Sequence, residues 1–305
     1  MQEPTHLRTV RTVAALRAAV SAARRSGHTI GLVPTMGSLH EGHLSLMRAA
    51  AGQCGFVVMS LFVNPSQFGP GEDFERYPRD EHRDAELAAA AGVDLLFAPP
   101  PQEVYPDGFS TSVEVTGLTD VLCAAPGSRG RNHFTGVATV VTKLLGMCGP
   151  DAAYFGQKDF QQSLVIRRLV RDLNIPVRVE VCPTVRDPDG LALSSRNAYL
   201  DTEQRERAAS LSRALGAAAQ AAQDGATRAQ VRAAALGVLG AAGVDPEYVE
   251  VLRADDLAPP AWEPGELVVV AVAAPVGPAR LIDNTLIELP SASERPAEPA
   301  ALVGG

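Results

Sequence analysis

Apolar positions along the chain alternate between two periods, one helical and one extended. Residues 12–25 carry Val13, Leu16, Ala19, Val20 and Ala23 at helical spacing, which predicts an amphipathic helix ahead of a short apolar strand at 30–33. Helical periodicity resumes at Leu44 with Met47 and Ala50, and Gly52 or Gly55 can end it. The unbroken apolar run 56–63 reads as a strand covered on both faces. A helix over about 78–91, closed by Gly92, and a strand at 94–98 continue the alternation.

The pattern loosens between Tyr105 and Arg131, where TSVEVT at 111–116 suggests a strand. The polar loop that follows, with Arg129, Arg131 and His133, suggests a cover over a site. A helix over 135–148, a strand at 152–155, a helix opening directly from GQKDFQQSLVIRRLV and ending near Arg171 and Asn174, and a strand at 177–181 complete the series. Strands alternating with helices predict an α/β fold, with a Rossmann-like parallel sheet domain over 1–183. Beyond Pro183 the pattern changes to two alanine-rich helices, about 202–222 and 227–241, then strand-like segments at 247–252, 267–273 and 279–282. AAPVGPARL resembles a hairpin turn, so residues 184–290 should form a smaller α+β domain with antiparallel strands. The tail 291–305, SASERPAEPAALVGG, has little to bury and is expected to be disordered.

Composition narrows the class. The 305 residues, 46% hydrophobic, suffice for two domains with their own cores. A net charge of −8 argues against a protein that coats nucleic acid or an anionic membrane. The longest apolar runs are about eight residues against the roughly 20 of a membrane helix. The arginine-strewn first thirty residues do not look like a secretion signal, so a soluble cytoplasmic protein is expected. Cys54, Cys123, Cys148 and Cys182 lack C-x-x-C spacing, which predicts buried free thiols. Of 27 basic residues only Lys143 and Lys158 are lysine, and a compact ammonium suits a phosphate.

The chemistry concentrates at PTMGSLHEGHLSL, residues 34–46. A strand, a glycine-containing loop and a helix start here, where free backbone N–H groups and the helix dipole favour an anion. His40 and His43 are spaced i and i+3, whereas a zincin helix needs i and i+4, so phosphate contact is preferred to metal ligation. Lys158 and Asp159 sit at a second strand-to-helix junction, with Gln161 and Gln162 near its open first turn. The loop after the second long strand carries Asn64 and Gln67, amides placed where open α/β sheets bind ligands. Ser194, Ser195 and Arg196 add donors from a later loop.

HEGH matches the H-x-G-H signature of a nucleotidyltransferase superfamily. Together with LFVNPSQF, YFGQKDFQQ, LSSRN and ARLIDN, in that order over about residues 30–284, the chain resembles the pantothenate synthetase family. The resemblance implies ATP-dependent condensation of pantoate with β-alanine through a pantoyl adenylate, with Mg2+ accompanying ATP, in a cytoplasmic homodimer with no nucleic-acid or membrane partner. It implies catalytic roles for His43, His40, Lys158, Ser194, Ser195 and Arg196. It implies ATP contacts along Met36, Gly37, Ser38, Leu39, His40, Glu41, Gly42 and His43, then Gly156, Gln157, Lys158 and Asp159, then Val185 and Leu193 to Arg196 in a second-domain loop. Gln67 and Gln162, with Asn64 nearby, would hold pantoate, and Asp84 lies where the family places an acidic group near the metal. The smaller domain would act as a lid. Departures are Leu193 for the family's usual Met, Gln157 for its usual Glu, and a segment in which either Arg129 or Arg131 takes the usual arginine position. Another H-x-G-H nucleotidyltransferase, and a non-catalytic nucleotide-sensing module, are the alternative readings.

Overall fold

The computed structural model describes residues 7–69, 74–125 and 130–291. The chain divides into two compact units, Met1–Asp187 with Ala192–Ala198, and Pro188–Leu191 with Tyr199–Gly305. Leu193 to Arg196 therefore group with the first unit, although the resemblance assigned them to the second. The expected disordered tail falls almost wholly outside the described residues.

The first unit holds β1 (Arg8–Val10), α1 (Val13–Arg25), β2 (Ile30–Thr35), α2 (Glu41–Gln53), β3 (Phe56–Leu61), α3 (Glu81–Ala90), β4 (Leu95–Phe97), α4 (Pro101–Val104), α5 (Arg131–Cys148), β5 (Ala152–Gly156), α6 (Phe160–Asp172) and β6 (Arg178–Cys182). Its six strands pair in the order β1-β4-β3-β2-β5-β6, all parallel. Burial on both faces explains the unbroken apolar strands, and the side chains divide by the period of two. Ile30, Leu32, Val58, Leu95, Ala153 and Phe155 join Leu16 and Val20 of α1 and Val137, Val141 and Leu144 of α5 in one core. Val33, Val57, Met59, Leu96 and Tyr154 join Leu46, Met47 and Ala50 of α2 and Ala88 of α3 in the other.

Chain order reverses between β2 and β5. The connection from β2 leads to β3 on one side, and β5 lies on the other, so the carboxyl ends of β2 and β5 flank the topological switch point where such sheets bind ligands. The loops leaving those two ends carry His40 to His43 and Gln157 to Asp159.

Helix α5 is held against the Pro65–Gln67 turn at very close range. A Cβ on Gly136 would fall 2.4 Å from the Ser66 carbonyl oxygen, so only glycine lets the helix backbone approach. That approach brings α5 against the loop that carries Asn64 and Gln67.

The second unit contains α7 (Thr202–Ala208), α8 (Ser210–Gln223), α9 (Arg228–Ala241), β7 (Tyr248–Arg253), β8 (Leu267–Val276) and β9 (Ala279–Glu288). Its sheet, β7-β8-β9, is antiparallel. Val268, Val270 and Val272 of β8 form one core with Leu211 and Leu215 of α8 and Val231 and Leu239 of α9.

Five details differ from the sequence reading, the first being that α5 begins at Arg131 rather than 135, so Arg131 and His133 lie in its first turn and not in a covering loop. The edge strand β1 leaves no signal in the sequence, because three residues are too short to show a period. TSVEVT is not a strand; its Val113 N–H donates to Thr139 Oγ1 on α5 at 2.9 Å rather than to a neighbouring strand. The helix expected over 202–222 breaks at Ala209 into α7 and α8. Helix α2 begins at Glu41 rather than Leu44, which moves the histidine pair to its cap. All four cysteines are free; Cys123 and Cys148 are buried, Cys54 and Cys182 half-buried. No helix among the described residues is long and apolar enough to cross a membrane.

Candidate active site

His40 occupies the N-cap of α2 and His43 its third helical position, and each ring accepts a backbone N–H of the helix start. His40 Nδ1 accepts from the Gly42 N–H at 3.2 Å, and His43 Nδ1 accepts from the His40 N–H at 3.4 Å. This is a capping box in which two imidazoles replace the usual hydroxyl and carboxylate. Gly42 is required by the ring beside it, since a Cβ there would lie 2.9 Å from His40 Nδ1 and Cε1. The spacing H-x-G-H is thus a packing rule as much as a chemical one.

A ring nitrogen that accepts an N–H bond carries no proton, so each neutral ring carries its hydrogen on Nε2. Both rings are neutral near pH 7. Burial, followed by the charge of Lys158, lowers His40 to about 4. Burial, followed by the proximity of His40, lowers His43 to about 3. The ring centroids are 4.1 Å apart, too close for two charged rings to be comfortable.

The loop before the helix is tied just as tightly. Asp84 of α3 is 2% exposed, and its Oδ2 and Oδ1 accept from the Ser38 and Leu39 N–H groups at 2.9 and 2.8 Å. Gly37 takes φ +86°, and a Cβ there would meet Leu61 at 2.7 Å and Asp84 at 2.8 Å. Asp84 does not line the cavity, and each of its oxygens accepts one N–H of this loop, which gives it a role in shaping the loop. The expectation of free backbone donors is likewise corrected. The N–H groups of Ser38, Leu39, His40 and Gly42 all have protein partners, and the His43 N–H bonds the His40 carbonyl at 2.8 Å. The side chains of His40, His43 and Lys158 therefore become the leading donors on this wall.

A cavity of about 230 Å³ lies within the first unit and collects most of the expected residues. Its walls include Met36, His40, Gly42 and His43 from the β2 side, Gly156, Lys158, Asp159 and Gln162 from the β5 side, and Val185 with Leu193 to Arg196. Asn64 and Gln67 also line it, facing an apolar wall of Phe62, Val137, Val140, Val141 and Leu144. Gly37, Ser38, Leu39, Glu41 and Gln157 do not line it, and Glu41 instead pairs with Arg48 on the surface. The 193–196 loop is pinned by an Arg186–Ala192 bridge and a 3.0 Å bond from the Leu193 N–H to the Val185 carbonyl. Helix α6 has no side-chain N-cap, in contrast to α2.

Other residues depart from expectation. Gln161 is 5% exposed and structural: its Nε2 donates to the Leu118 and Val121 carbonyls, both at 2.7 Å, and its Oε1 accepts from the Cys123 N–H. Met36 lines the cavity as expected of a residue near its ligand, and its sulfur also accepts from Gln67 Nε2 at 3.1 Å. Arg131 pairs with Asp120 at 2.5 Å, while Arg129 lies outside the described residues. His133 lines the cavity and bonds the Gln67 carbonyl through Nδ1 at 2.7 Å, which fixes its hydrogen on Nδ1 because a carbonyl only accepts. Phe62, within the LFVNPSQF motif, also lines it, as do Tyr77 and Thr184, which gave no sequence signal; the Thr184 hydroxyl is buried without a partner among the described residues.

A parallel sheet with a histidine-capped helix and a lysine at its switch point defines a nucleotide-binding α/β protein of the H-x-G-H kind. Its sequence goes further: residues 8–286 match the family described as Pantoate-beta-alanine ligase, and the chain belongs to that family. It is 54% identical over 284 residues to the pantothenate synthetase of Moorella thermoacetica, an alignment that covers 92% of this chain and 98% of the relative. The pantothenate synthetase of Paramagnetospirillum magneticum is 52% identical over 93% of this chain and 99% of the relative. Among solved structures, the pantothenate synthetase of Thermus thermophilus superposes with a TM-score of 0.84 at 49% identity, covering 91% of this chain and 98% of that one. The pantoate-β-alanine ligase of Francisella tularensis, solved with β-γ ATP and β-alanine, gives 0.75 at 32% identity, covering 92% and 97%.

The histidine pair makes stability depend on pH with a definite sign. Both folded-state values lie below the ordinary 6.5, so the unfolded chain binds more protons, and the contribution is complete above about pH 6.5 and lost as pH falls toward 4 and 3. His43→Gln keeps a capping side chain at the third position but cannot titrate. Urea unfolding from pH 7 to pH 4 should show a shallower loss of stability in the variant than in the wild type; parallel curves would refute the burial of a neutral His43.

Proposed function

We propose that the chain is a pantothenate synthetase that condenses pantoate with β-alanine at the expense of ATP, by way of a bound pantoyl adenylate. One observation carries the reading: in a single cavity, phosphate-directed donors (His40, His43, Lys158) meet an amide-and-apolar pocket (Gln67, Gln162, Val137, Val140). Pantoate presents a carboxylate, two hydroxyls and a dimethyl carbon. The amides suit the first two, since a glutamine both donates and accepts, and the valines of α5 suit the third.

In the first step a pantoate carboxylate oxygen attacks the α-phosphorus, the bond from that phosphorus to the bridging oxygen breaks, and pyrophosphate leaves with the bonding pair. The His40 and His43 Nε2–H groups and the Lys158 ammonium stabilise the charge that grows on the departing oxygens. Neutral rings suit this task, because they donate without binding ground-state polyphosphate as strongly as a cation would. The Ser194, Ser195 and Arg196 loop would add donors to the same phosphates. In the second step the unprotonated β-alanine amine attacks the acyl carbon, AMP leaves, and the amine gives up a proton. Aligning reactants and excluding water from the acyl adenylate are the protein's chief contributions.

Magnesium belongs to this proposal as ATP's companion. Asp159 is the one carboxylate among the described residues that line the cavity, and no group of three metal-ligating side chains occurs among the described residues. One hard oxygen donor fits an ion held mainly by phosphate oxygens and water, which would neutralise phosphate charge. The homodimer, the cytoplasmic setting and a lid role for the smaller domain remain proposals on the strength of the resemblance.

Pantoate-dependent exchange of labelled pyrophosphate into ATP tests the reading. Exchange should require pantoate and magnesium; its absence would leave a different H-x-G-H transferase or a nucleotide sensor. His43→Ala and Lys158→Ala should each slow exchange by about 10²–10³-fold, as loss of a preorganised donor does. A folded variant that exchanges at the wild-type rate would remove its residue from the mechanism. Gln67→Ala should weaken pantoate binding in calorimetry while ATP binding persists, and unchanged pantoate affinity would refute its role.

A further inference from the structure

Asn64 lies between the pantoate-facing amide of Gln67 and a tyrosine outside the cavity wall. It is 1% exposed, and every hydrogen-bonding group of its side chain is engaged. Its Nδ2 donates to the Gly136 carbonyl at 3.2 Å and to Gln67 Oε1 at 3.0 Å. Its Oδ1 accepts from the Tyr105 hydroxyl at 2.8 Å, the Ser66 hydroxyl at 2.9 Å and the Ser66 N–H at 3.4 Å. The Gly136 carbonyl only accepts, so the amide nitrogen must face it, and the two hydroxyls hold the oxygen on the other side. Asn64 has no remaining capacity for a substrate.

The orientation passes to the next side chain. Because Asn64 Nδ2 occupies Gln67 Oε1, the Gln67 amide must turn its Nε2 away, where one hydrogen meets the Met36 sulfur at 3.1 Å. The second Nε2 hydrogen remains as a donor toward the cavity, the polarity a carboxylate or a hydroxyl oxygen requires. Tyr105 is itself fixed: its ring lies 6.1 Å from Phe62 and 5.0 Å from Phe109, and the Lys143 ammonium sits 5.9 Å and 4.5 Å from the Tyr105 and Phe109 centroids.

We propose that Tyr105 is a positioning residue for acid-substrate recognition, setting the Gln67 amide through Asn64 so that it donates into the cavity. The inference rests on pantoate being the acid. Steady-state kinetics of Tyr105→Phe, Gln67→Ala and the double variant test it. Tyr105→Phe should raise the pantoate KM about 3- to 10-fold, the worth of one hydrogen bond, and leave kcat and the ATP KM within about twofold. In the Gln67→Ala background the same change should have no further effect on the pantoate KM. Should Tyr105→Phe fail to fold, Ser66→Ala, which removes the second hydroxyl on the same oxygen, must give the same selective rise. An unchanged pantoate KM, an equal rise for ATP, or additive effects in the double variant would overturn the proposal while wild-type turnover of pantoate stands. A wild type that does not use pantoate would instead overturn the functional reading, and this inference with it.

Discussion

Everything at this site depends on the reciprocal cap between His40 and His43. A helix N-terminus normally leaves N–H groups exposed, and proteins often offer those groups directly to a phosphate. Here one imidazole takes the Gly42 N–H and the other the His40 N–H, which commits each Nδ1 to structure and leaves each Nε2–H to donate elsewhere. Burial then keeps both rings neutral. Tautomer, orientation and charge state follow from one local motif, and Gly42 is the residue whose lack of a side chain permits it.

The rest of the first unit supports that cap. Asp84 holds the loop before it, and the parallel register of β2 and β5 puts Lys158 on the opposite side of the switch point. Gly136 lets α5 approach the Pro65–Gln67 turn, which supplies both the apolar wall and the carbonyl that orients Asn64. The His40, His43 and Lys158 side chains and the Gln67 amide thus converge on one cavity through two different contacts, a strand pair and a helix–turn packing.

Much of this was legible in the sequence because it is local. Strand, loop and helix at 30–46 follow from periodicity and glycine placement, and the two-domain division follows from the change of pattern after Pro183. Motif order carried the family. What could not be read is what distant segments do to one another. Nothing in the sequence shows that α3 delivers Asp84 to two backbone N–H groups 45 and 46 residues away. Gln161 and Gln162 are neighbours in sequence, yet helical geometry sends one into the core to bond the 118–123 segment and leaves the other on the cavity wall. Tyr105 bears no motif at all, and its importance rests on a partner 41 residues away.

His40 and His43 are neutral Nε2–H donors before any nucleotide binds. Nitrogen-15 NMR of histidine-labelled protein, with the pair assigned through His43→Gln, measures this directly. Two histidines should be in the Nε2–H tautomer at pH 7, stay neutral through pH 5 and titrate near 4 and 3. Titration of either ring near the ordinary 6.5, or a hydrogen on Nδ1, would contradict it.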